Sequence, residues 1–294
     1  MKKSFFIILI AGSAAAQETG TGLSFLKLGV GARSIAMGEA YTAMASDHSS
    51  LFYNPASLRF AKEHELQLMH KEWIAETSSE YLGASVLGEN FSYGFSALNT
   101  SVGEIEVRTK PGPPEGTFSA QNFALGMTLS FSIDERLAVG LTGKFLYEKI
   151  FVDEASGYGF DIGGSYRYSD DLMFGASILN IGSMNVLRSQ ATELPTTIRA
   201  GAAYNYSGIE QISLIGAADV VKTLNDKQTH FNAGVEAMYD RLFAIRAGYR
   251  TGYSNTSLTS GFGVRYGIVK FDYAFVPFTE GFTSTHTFSF SFLL

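Results

Sequence analysis

The sequence has 294 residues, and its charged fraction of 17% falls below the roughly one quarter that is usual in soluble domains. Hydrophobic residues make up 46% and aromatic residues 14%. Beyond the first residues, however, no apolar run of about 18 residues occurs, which argues against membrane-spanning helices. The net charge of −6, without any basic run, argues against nucleic acid as a partner.

Residues 1–16 have the pattern of a cleavable export signal. Lys2-Lys3 is basic, Phe5 to Ala11 is a short apolar stretch, and Ala14-Ala15-Ala16 supplies the small residues of a cleavage site. The apolar stretch is too short to anchor the chain as a spanning helix. We therefore expect Gln17 to begin the mature chain.

Residues 17–62 do not alternate as a strand does. The stretch from Ala32 to Ser46 is rich in Ala and Met and predicts a short helix. Asp47 then begins a polar turn, and Asn54-Pro55 predicts a tight corner, because a residue before proline avoids helical backbone. We expect a helical hatch that precedes the strands and is large enough to enter a barrel as a plug.

Residues 63–294 alternate between apolar and small polar side chains. The alternation is clearest in the last ten residues, whose apolar face consists of Phe288, Phe290, Phe292 and Leu294. A soluble sheet would carry long charged side chains on its wet face, whereas here the polar face is mostly Gly, Ser, Thr and Ala. The pattern predicts an all-β fold, a transmembrane antiparallel β-barrel with its aromatic side chains toward lipid.

Connections between the predicted strands alternate between short and long. Gly88-Glu89-Asn90 is short, while Lys110 to Gly116, Val152 to Gly157 and Ile181 to Glu193 are longer. Outer-membrane barrels have short periplasmic turns and long extracellular loops. Counting in this way gives about 14 strands, and an even count leaves both ends of the barrel on the periplasmic side. Leu172 to Asn180 is the least regular strand.

Ten charged residues fall on the polar faces of the predicted strands and are expected to point into the lumen. They are Lys144, Asp161, Arg167, Arg199, Glu236, Arg246, Arg250, Arg265, Lys270 and Asp272. Such residues either line a pore and bind a ligand or pair with one another, since an unpaired buried charge is costly. Both signs are present, which favours pairing.

No set of residues points to catalysis, a cofactor or a metal ion. The five histidines lack a metal-ligand spacing such as His-Glu-x-x-His. Gly29-x-Gly31-x-x-Ser34 resembles a dinucleotide loop only superficially, because the third glycine and a surrounding strand-helix-strand unit are missing. We predict a protein that is not an enzyme and holds neither cofactor nor metal.

The N-terminal stretch carries a longer motif, which runs from Gly31-Ala32-Arg33 through Met37-Gly38 and Asp47 to Asn54-Pro55-Ala56. It resembles the signature of the FadL-like superfamily of outer-membrane barrels, and within it the PorV/PorQ family associated with type IX secretion. The resemblance implies a barrel of about 14 strands with an N-terminal hatch. The residues of the hatch and its corner are then Gly31, Arg33, Gly38, Asp47, Asn54, Pro55 and Ala56.

The resemblance implies two alternative functions. A PorV/PorQ-like protein takes part in protein secretion or cell-surface attachment and has secretion-machinery proteins and exported proteins as partners. A FadL-like protein passes hydrophobic small molecules through the hatch and the barrel wall. A strand kink near Gly94 or Gly103 would open that wall, because glycine interrupts packing within a strand. Both alternatives place the protein in the lipid of the outer membrane after signal cleavage, and secretion is the first expectation.

Overall fold

The computed structural model describes residues 22–44, 47–74, 76–108, 110, 112–188, 190–224, 226–253, 257–278 and 283–294. The predicted export signal and residues 17–21 of the predicted hatch lie outside these ranges. No helix within them is long and apolar enough to cross a membrane.

Fourteen antiparallel strands close into a barrel, which confirms the predicted fold class and strand count. The sixteen strands in chain order are β1 (Glu65–Glu72), β2 (Thr77–Leu87), β3 (Phe91–Val107), β4 (Gly116–Ser132), β5 (Leu137–Ile150), β6 (Asp153–Arg167), β7 (Leu172–Met184), β8 (Val186–Leu187), β9 (Gln190–Ala191), β10 (Thr197–Ile209), β11 (Ile212–Thr223), β12 (His230–Tyr239), β13 (Phe243–Arg250), β14 (Leu258–Tyr266), β15 (Val269–Val276) and β16 (Thr285–Leu293). β8 and β9 form a separate hairpin, so that β7 pairs with β10 in the barrel. The C-terminal β16 pairs with β1 and closes the sheet.

Four short helices precede the barrel: a 3-10 helix (Ser24–Lys27), α1 (Ala32–Ala36), α2 (Ser50–Tyr53) and a second 3-10 helix (Pro55–Phe60). The helix predicted over Ala32 to Ser46 is therefore much shorter than expected. It ends because Gly38 adopts a left-handed backbone, with φ of +66°, directly after the last turn. Ala45 and Ser46 lie outside the described residues.

The two ends of the barrel differ in their connections. One end, which we call the turn end, holds the start of β1, the end of β16 and six short turns. The opposite end, which we call the loop end, holds the longer connections, such as residues 108–115 and 185–196. This is the predicted alternation with one exception. The expected loop from Val152 to Gly157 is a two-residue turn, because β5 and β6 continue to Ile150 and Asp153 and Phe151 takes a positive φ of 58°.

The two faces of the sheet match the alternation read from the sequence. Large apolar side chains such as Val235, Phe231 and Phe290 point outward and are 59%, 55% and 47% exposed. Aromatic side chains on neighbouring strands contact one another across this outer face, as Phe271 and Phe290 do at 4.9 Å between ring centroids. Small polar side chains on the same strands, Ser289 and Ser291 among them, are buried inside.

Three irregularities interrupt the hydrogen-bond ladder, and one of them lies between β10 and β11, where the pairing shifts between Tyr206 and Ile209. The pairing of β3 with β4 shifts between Val102 and Ile105, so an irregularity of the ladder lies beside Gly103, one of the two glycines considered. Gly94 is paired regularly on both sides. The pairing of β6 with β7 shifts near Phe160, opposite Asn180, whose φ is +60°. That shift explains why the sequence of β7 does not alternate cleanly.

Arginine at the outward position 235 is expected to lower the free energy of unfolding by about 2–4 kcal/mol, because Val235 lies at mid-strand where a charge would meet hydrocarbon. The measurement is equilibrium unfolding in phospholipid vesicles. Val264→Arg, two residues from the end of β14, is the matched control and should cost only about 0–1 kcal/mol. Equal costs at both positions would contradict a membrane belt centred on the strands.

Candidate functional site

Residues 22–44 and 47–61, which we call the lumen segment, lie inside the barrel. α1 contacts β13, β14, β15 and β16, whereas the 3-10 helix Pro55–Phe60 contacts β3, β4, β5 and β6 on the opposite side. The residues between these helices are almost completely buried, and Met37 and Tyr41 have no exposed surface. The segment therefore extends across the lumen from wall to wall.

Glycines on the inner wall allow the backbone of the lumen segment to approach the strands. A Cβ at Gly163 would overlap the Asn54 side chain, and a Cβ at Gly140 would overlap the backbone of Pro55. On the segment itself, Gly38 needs both its positive φ and its missing side chain, because a Cβ there would lie 2.8 Å from a carbonyl oxygen of β12. Small polar faces in these strands thus provide the space that the segment occupies.

Alanine at position 163 is expected to destabilise the protein by about 1–3 kcal/mol, because its methyl group would enter space already filled by Asn54. Gly164→Ala is the matched control, since Gly164 is the next residue on β6 and a Cβ there meets nothing closer than 3.9 Å. Urea unfolding of both variants gives the comparison. If the control loses as much stability as Gly163→Ala, close packing of the segment is not the cause.

Arg33 of α1 lies in a buried ion network with the wall. Its guanidinium donates to Glu236 at 2.5 and 2.7 Å and lies 3.3 Å from Asp47. Arg246 contacts the same glutamate at 2.5 Å and Asp272 at 2.8 Å. The five residues are at most 6% exposed. The network ties α1 to β12, β13 and β15.

Asp47 extends this network to β1 and β15. Lys270 Nζ lies 4.0 Å from Asp47 and 3.7 Å from Glu65, and the hydroxyls of Tyr41 and Ser49 donate to the aspartate. Burial by itself raises the pKa of Asp47, but the neighbouring ammonium and guanidinium groups and the two hydrogen bonds outweigh burial. They hold the pKa of Asp47 well below its usual range, so this carboxylate stays ionised.

Two further ion pairs hold the middle of the lumen segment. Arg199 lies 2.9 Å from Asp219, whose carboxylate also accepts the backbone N–H groups of Tyr41 and the following residue at 3.0 Å. Arg250 lies 2.6 Å from Glu39. These contacts connect the segment to β10, β11 and β13, so charged groups surround it on the β10–β15 side.

The remaining predicted lumen charges lie away from the network. Lys144 pairs with Asp161 at 2.7 Å on the β5–β6 side. The Arg167 guanidinium lies over the ring of Phe60 at 4.5 Å, and Arg265 pairs with an exposed glutamate at the turn end. The ten charges read from the sequence therefore form one central network, several local pairs and two contacts at the mouth of the turn end.

The motif residues of the predicted hatch lie at buried positions of the lumen segment. Gly31, with φ of +88°, precedes α1, and its N–H points to the Met69 sulfur at 3.1 Å. The Asn54 amide donates to the carbonyl oxygen of Gly164 at 3.1 Å, and its side-chain oxygen accepts the N–H of Ala56 at 3.0 Å. Asn54 thus caps the 3-10 helix Pro55–Phe60 and ties it to β6.

Five charged residues of the lumen were not among those predicted from the sequence, and Glu148 on the inner face of β5 is one of them. Asp219, Glu65 and Lys71 occupy inward positions of their strands, so strict alternation could have found them. Glu39 lies in the irregular part of the lumen segment, where no periodicity identifies its direction. Lys71 differs from the others in its contacts and is described further below.

An apolar cluster occupies part of the inner wall on one side of the barrel. A buried cluster on β1–β7 packs against the start of the lumen segment, and its wall residues are Met69, Tyr81, Leu98, Ala124, Leu146, Ala155 and Met184. Their partners on the segment are Leu23, Phe25, Leu26 and Val30. The inner faces were expected to be mostly Gly, Ser, Thr and Ala, and the larger side chains of this cluster are exceptions to that pattern, while the central ion network lies on β12, β13 and β15.

The lumen segment separates two cavities. A cavity of about 970 Å³ lies at the loop end, and its apolar lining includes Leu26, Leu28, Phe52, Trp73 and Phe278. A second cavity of about 570 Å³ lies at the turn end. The two have no lining residue in common. Within the described ranges, no three His, Asp or Glu side chains converge in a way that could hold a metal ion.

Comparison with known families and curated proteins gives limited information. The family described as "Family of unknown function (DUF5723)" matches residues 90–188, which cover the wall from β3 to β7. A search of curated proteins gives no significant match. The sequence comparisons therefore leave the activity open.

Solved structures match the fold over nearly the whole chain. The CymD monoaromatic hydrocarbon channel matches with a TM-score of 0.65 at 15% identity, covering 93% of this chain and 98% of that one. The Pseudomonas putida toluene transporter TodX matches at 0.63 and 13% identity, covering 90% and 96%. A Pseudomonas aeruginosa FadL homologue matches at 0.56 and 12% identity, covering 88% and 96%. The chain thus has the fold of the FadL-like outer-membrane barrels.

Proposed function

We propose that the protein is an outer-membrane channel for hydrophobic solutes. The observation that carries this proposal is the loop-end cavity, which adjoins the apolar cluster on β1–β7. Leu26, Leu28 and Phe52 line the cavity and also belong to, or pack against, the apolar cluster on β1–β7. A solute that enters from the loop end would therefore meet a continuous apolar surface. The hydrocarbon channels that share the fold support the same function.

The lumen segment is the barrier on this route. Leu23, Phe25 and Leu26 fill the apolar cluster in the half of the lumen beside β1–β7, so a solute can advance only if this part of the segment moves. The register shifts beside Gly103 and Phe160 interrupt the ladder of the same half of the wall. We propose that the solute passes between the segment and this part of the wall.

Protein secretion of the PorV/PorQ kind is the alternative, and the N-terminal motif is the feature that favours it. A secretion component needs protein partners at its loops, and residues 110 and 112–116 of the predicted long connection are exposed at the loop end. The connection after β7 is exposed over most of its described residues, Val186 at 57% among them, and Leu194 at its end packs into the buried apolar cluster. These connections are compatible with a protein partner, and the channel is the better supported function because the loop-end cavity adjoins the apolar cluster.

Deletion of the gene in its host tests the two functions against each other. A channel predicts reduced uptake of hydrophobic compounds with normal amounts of secreted and surface-attached proteins. Expression of the full chain in the deletion strain should restore uptake. Expression of a chain whose lumen segment is fixed to the barrel wall should not. Loss of secreted proteins with normal uptake would contradict the channel and support secretion.

A further inference from the structure

Lys71 is a buried cation for which the described part of the chain provides no ion-pair partner. It lies on the inner face of β1 and is 5% exposed. Its Nζ approaches the carbonyl oxygen of Gly29 at 3.4 Å and lies 5.6 Å from the centre of the Trp73 ring. No carboxylate of the described residues lies within ion-pair distance of it. An ammonium removed from water in this way costs free energy unless a partner compensates for it.

The other buried cations differ from Lys71 because each of them forms an ion pair. Arg33, Arg199, Arg246 and Arg250 are the remaining Lys and Arg side chains buried among the described residues, and each forms an ion pair of 3.3 Å or less. Glu39, the carboxylate whose charge acts on Lys71, already forms an ion pair with Arg250 at 2.6 Å. The fold therefore pairs each of the other buried cations with a carboxylate of the chain and leaves Lys71 able to bind an anion from outside.

Lys71 faces the loop-end cavity, and the cavity as a whole is cationic. Its charged lining consists of the basic Lys27, Lys71, Arg199, Lys227 and Arg250 and the acidic Glu39 and Asp226. Arg199 and Arg250 already pair with Asp219 and Glu39, so the attraction for an anion at this end of the barrel centres on Lys71.

Aromatic rings flank the ammonium on the cavity side. Trp73 and Phe278 both line the cavity, and their ring centroids lie 6.4 Å apart at an interplanar angle of 50°. A third ring placed against this pair would make the tilted or offset contacts that aromatic groups prefer at 4.5–7 Å. A flat ring with an acidic group at its edge would then bring that group to Lys71.

We infer that Lys71 is a specificity-determining residue that binds the carboxylate of a small aromatic acid, with the ring of the acid against Trp73 and Phe278. The inference rests on the proposed channel and names the class of solute that the loop-end cavity selects. It distinguishes this chain from a channel for neutral hydrocarbons, because a neutral aromatic solute would leave the ammonium unpaired.

Calorimetric titration of the full mature chain in detergent tests the inference with three matched probes at neutral pH: 4-ethylbenzoate, the neutral 4-ethylbenzyl alcohol and the aliphatic nonanoate. We expect 4-ethylbenzoate to bind at least about tenfold more tightly than the alcohol, as one charge-assisted contact allows. Lys71→Met should remove that difference and leave binding of the alcohol unchanged, while Lys71→Arg should keep most of it.

Lys227→Met is the control, because it removes an equal charge from an exposed position on the same cavity. Folding of each variant is checked by heat-dependent gel migration, and Lys71→Met should be at least as stable as the parent because it removes an unpaired charge. Equal binding of 4-ethylbenzoate and the alcohol, tighter binding of nonanoate, or an equal loss in Lys227→Met would overturn the inference while leaving the channel intact. Failure of all three probes to bind would instead contradict the channel itself.

Discussion

Methionine in place of Arg33 is expected to lower the free energy of unfolding by about 3–5 kcal/mol, because it leaves buried carboxylates without their main cation. Glu236 would lose two hydrogen bonds of 2.5 and 2.7 Å, and Asp47 would lose a contact of 3.3 Å. The measurement is urea unfolding in phospholipid vesicles, followed by the fluorescence of Trp73, the single tryptophan of the chain.

The exposed pair of Arg265 and Glu63 provides the control for this prediction. The two side chains lie 2.7 Å apart but are 37% and 42% exposed, so water already solvates both charges. Arg265→Met should therefore cost no more than about 1 kcal/mol. The double variant Arg33→Met/Glu236→Met, which removes both members of the buried pair, should recover part of the loss. A cost for Arg33→Met no greater than that of Arg265→Met would show that the network does not hold the segment.

Deletion of residues 17–47 is expected to convert a blocked barrel into an open pore. The deletion removes α1 and every contact that this part of the segment makes with β10–β16, whereas the 3-10 helix Pro55–Phe60 remains packed on β3–β6. Planar-bilayer recordings should change from little single-channel current to discrete openings. The conductance should stay below that of porins, because 14 strands enclose a narrower lumen than 16–18.

A shortened loop distinguishes this effect from general damage to the barrel. Removing residues 112–115, which lie in the exposed connection between β3 and β4, leaves the lumen unchanged and should leave the current as low as in the parent. If the deletion of 17–47 gives no more current than the loop variant, the lumen segment does not block conduction. The division of the chain into a hatch at residues 17–62 and a barrel at 63–294 is a prediction that this experiment addresses.

Much of the barrel could be predicted because its pattern is local. A strand alternates its side chains between two faces whatever lies around it, so the aromatic positions of β16 and the inward charges of β12 and β13 follow from counting by two. The prediction of a loop between β5 and β6 was wrong because the two strands continue to Ile150 and Asp153. The sequence from Val152 to Gly157 does not distinguish a loop from the tight turn at Phe151. The predicted length of α1 was wrong because it included Gly38, which ends the helix.

The sequence by itself determined the class of fold, the number of strands and most of the charged residues that face inward. The tertiary structure alone decided which of those charges meet. Arg33 and Glu236 are 203 residues apart, and they pair only because the closed barrel brings β12 beside α1. Closure also placed Lys71 beyond ion-pair distance of the carboxylates of the described residues and brought together the apolar cluster on the inner wall of β1–β7. Alternation specifies the face on which a side chain lies, whereas the partner across a lumen depends on the tilt and order of strands far apart in the chain.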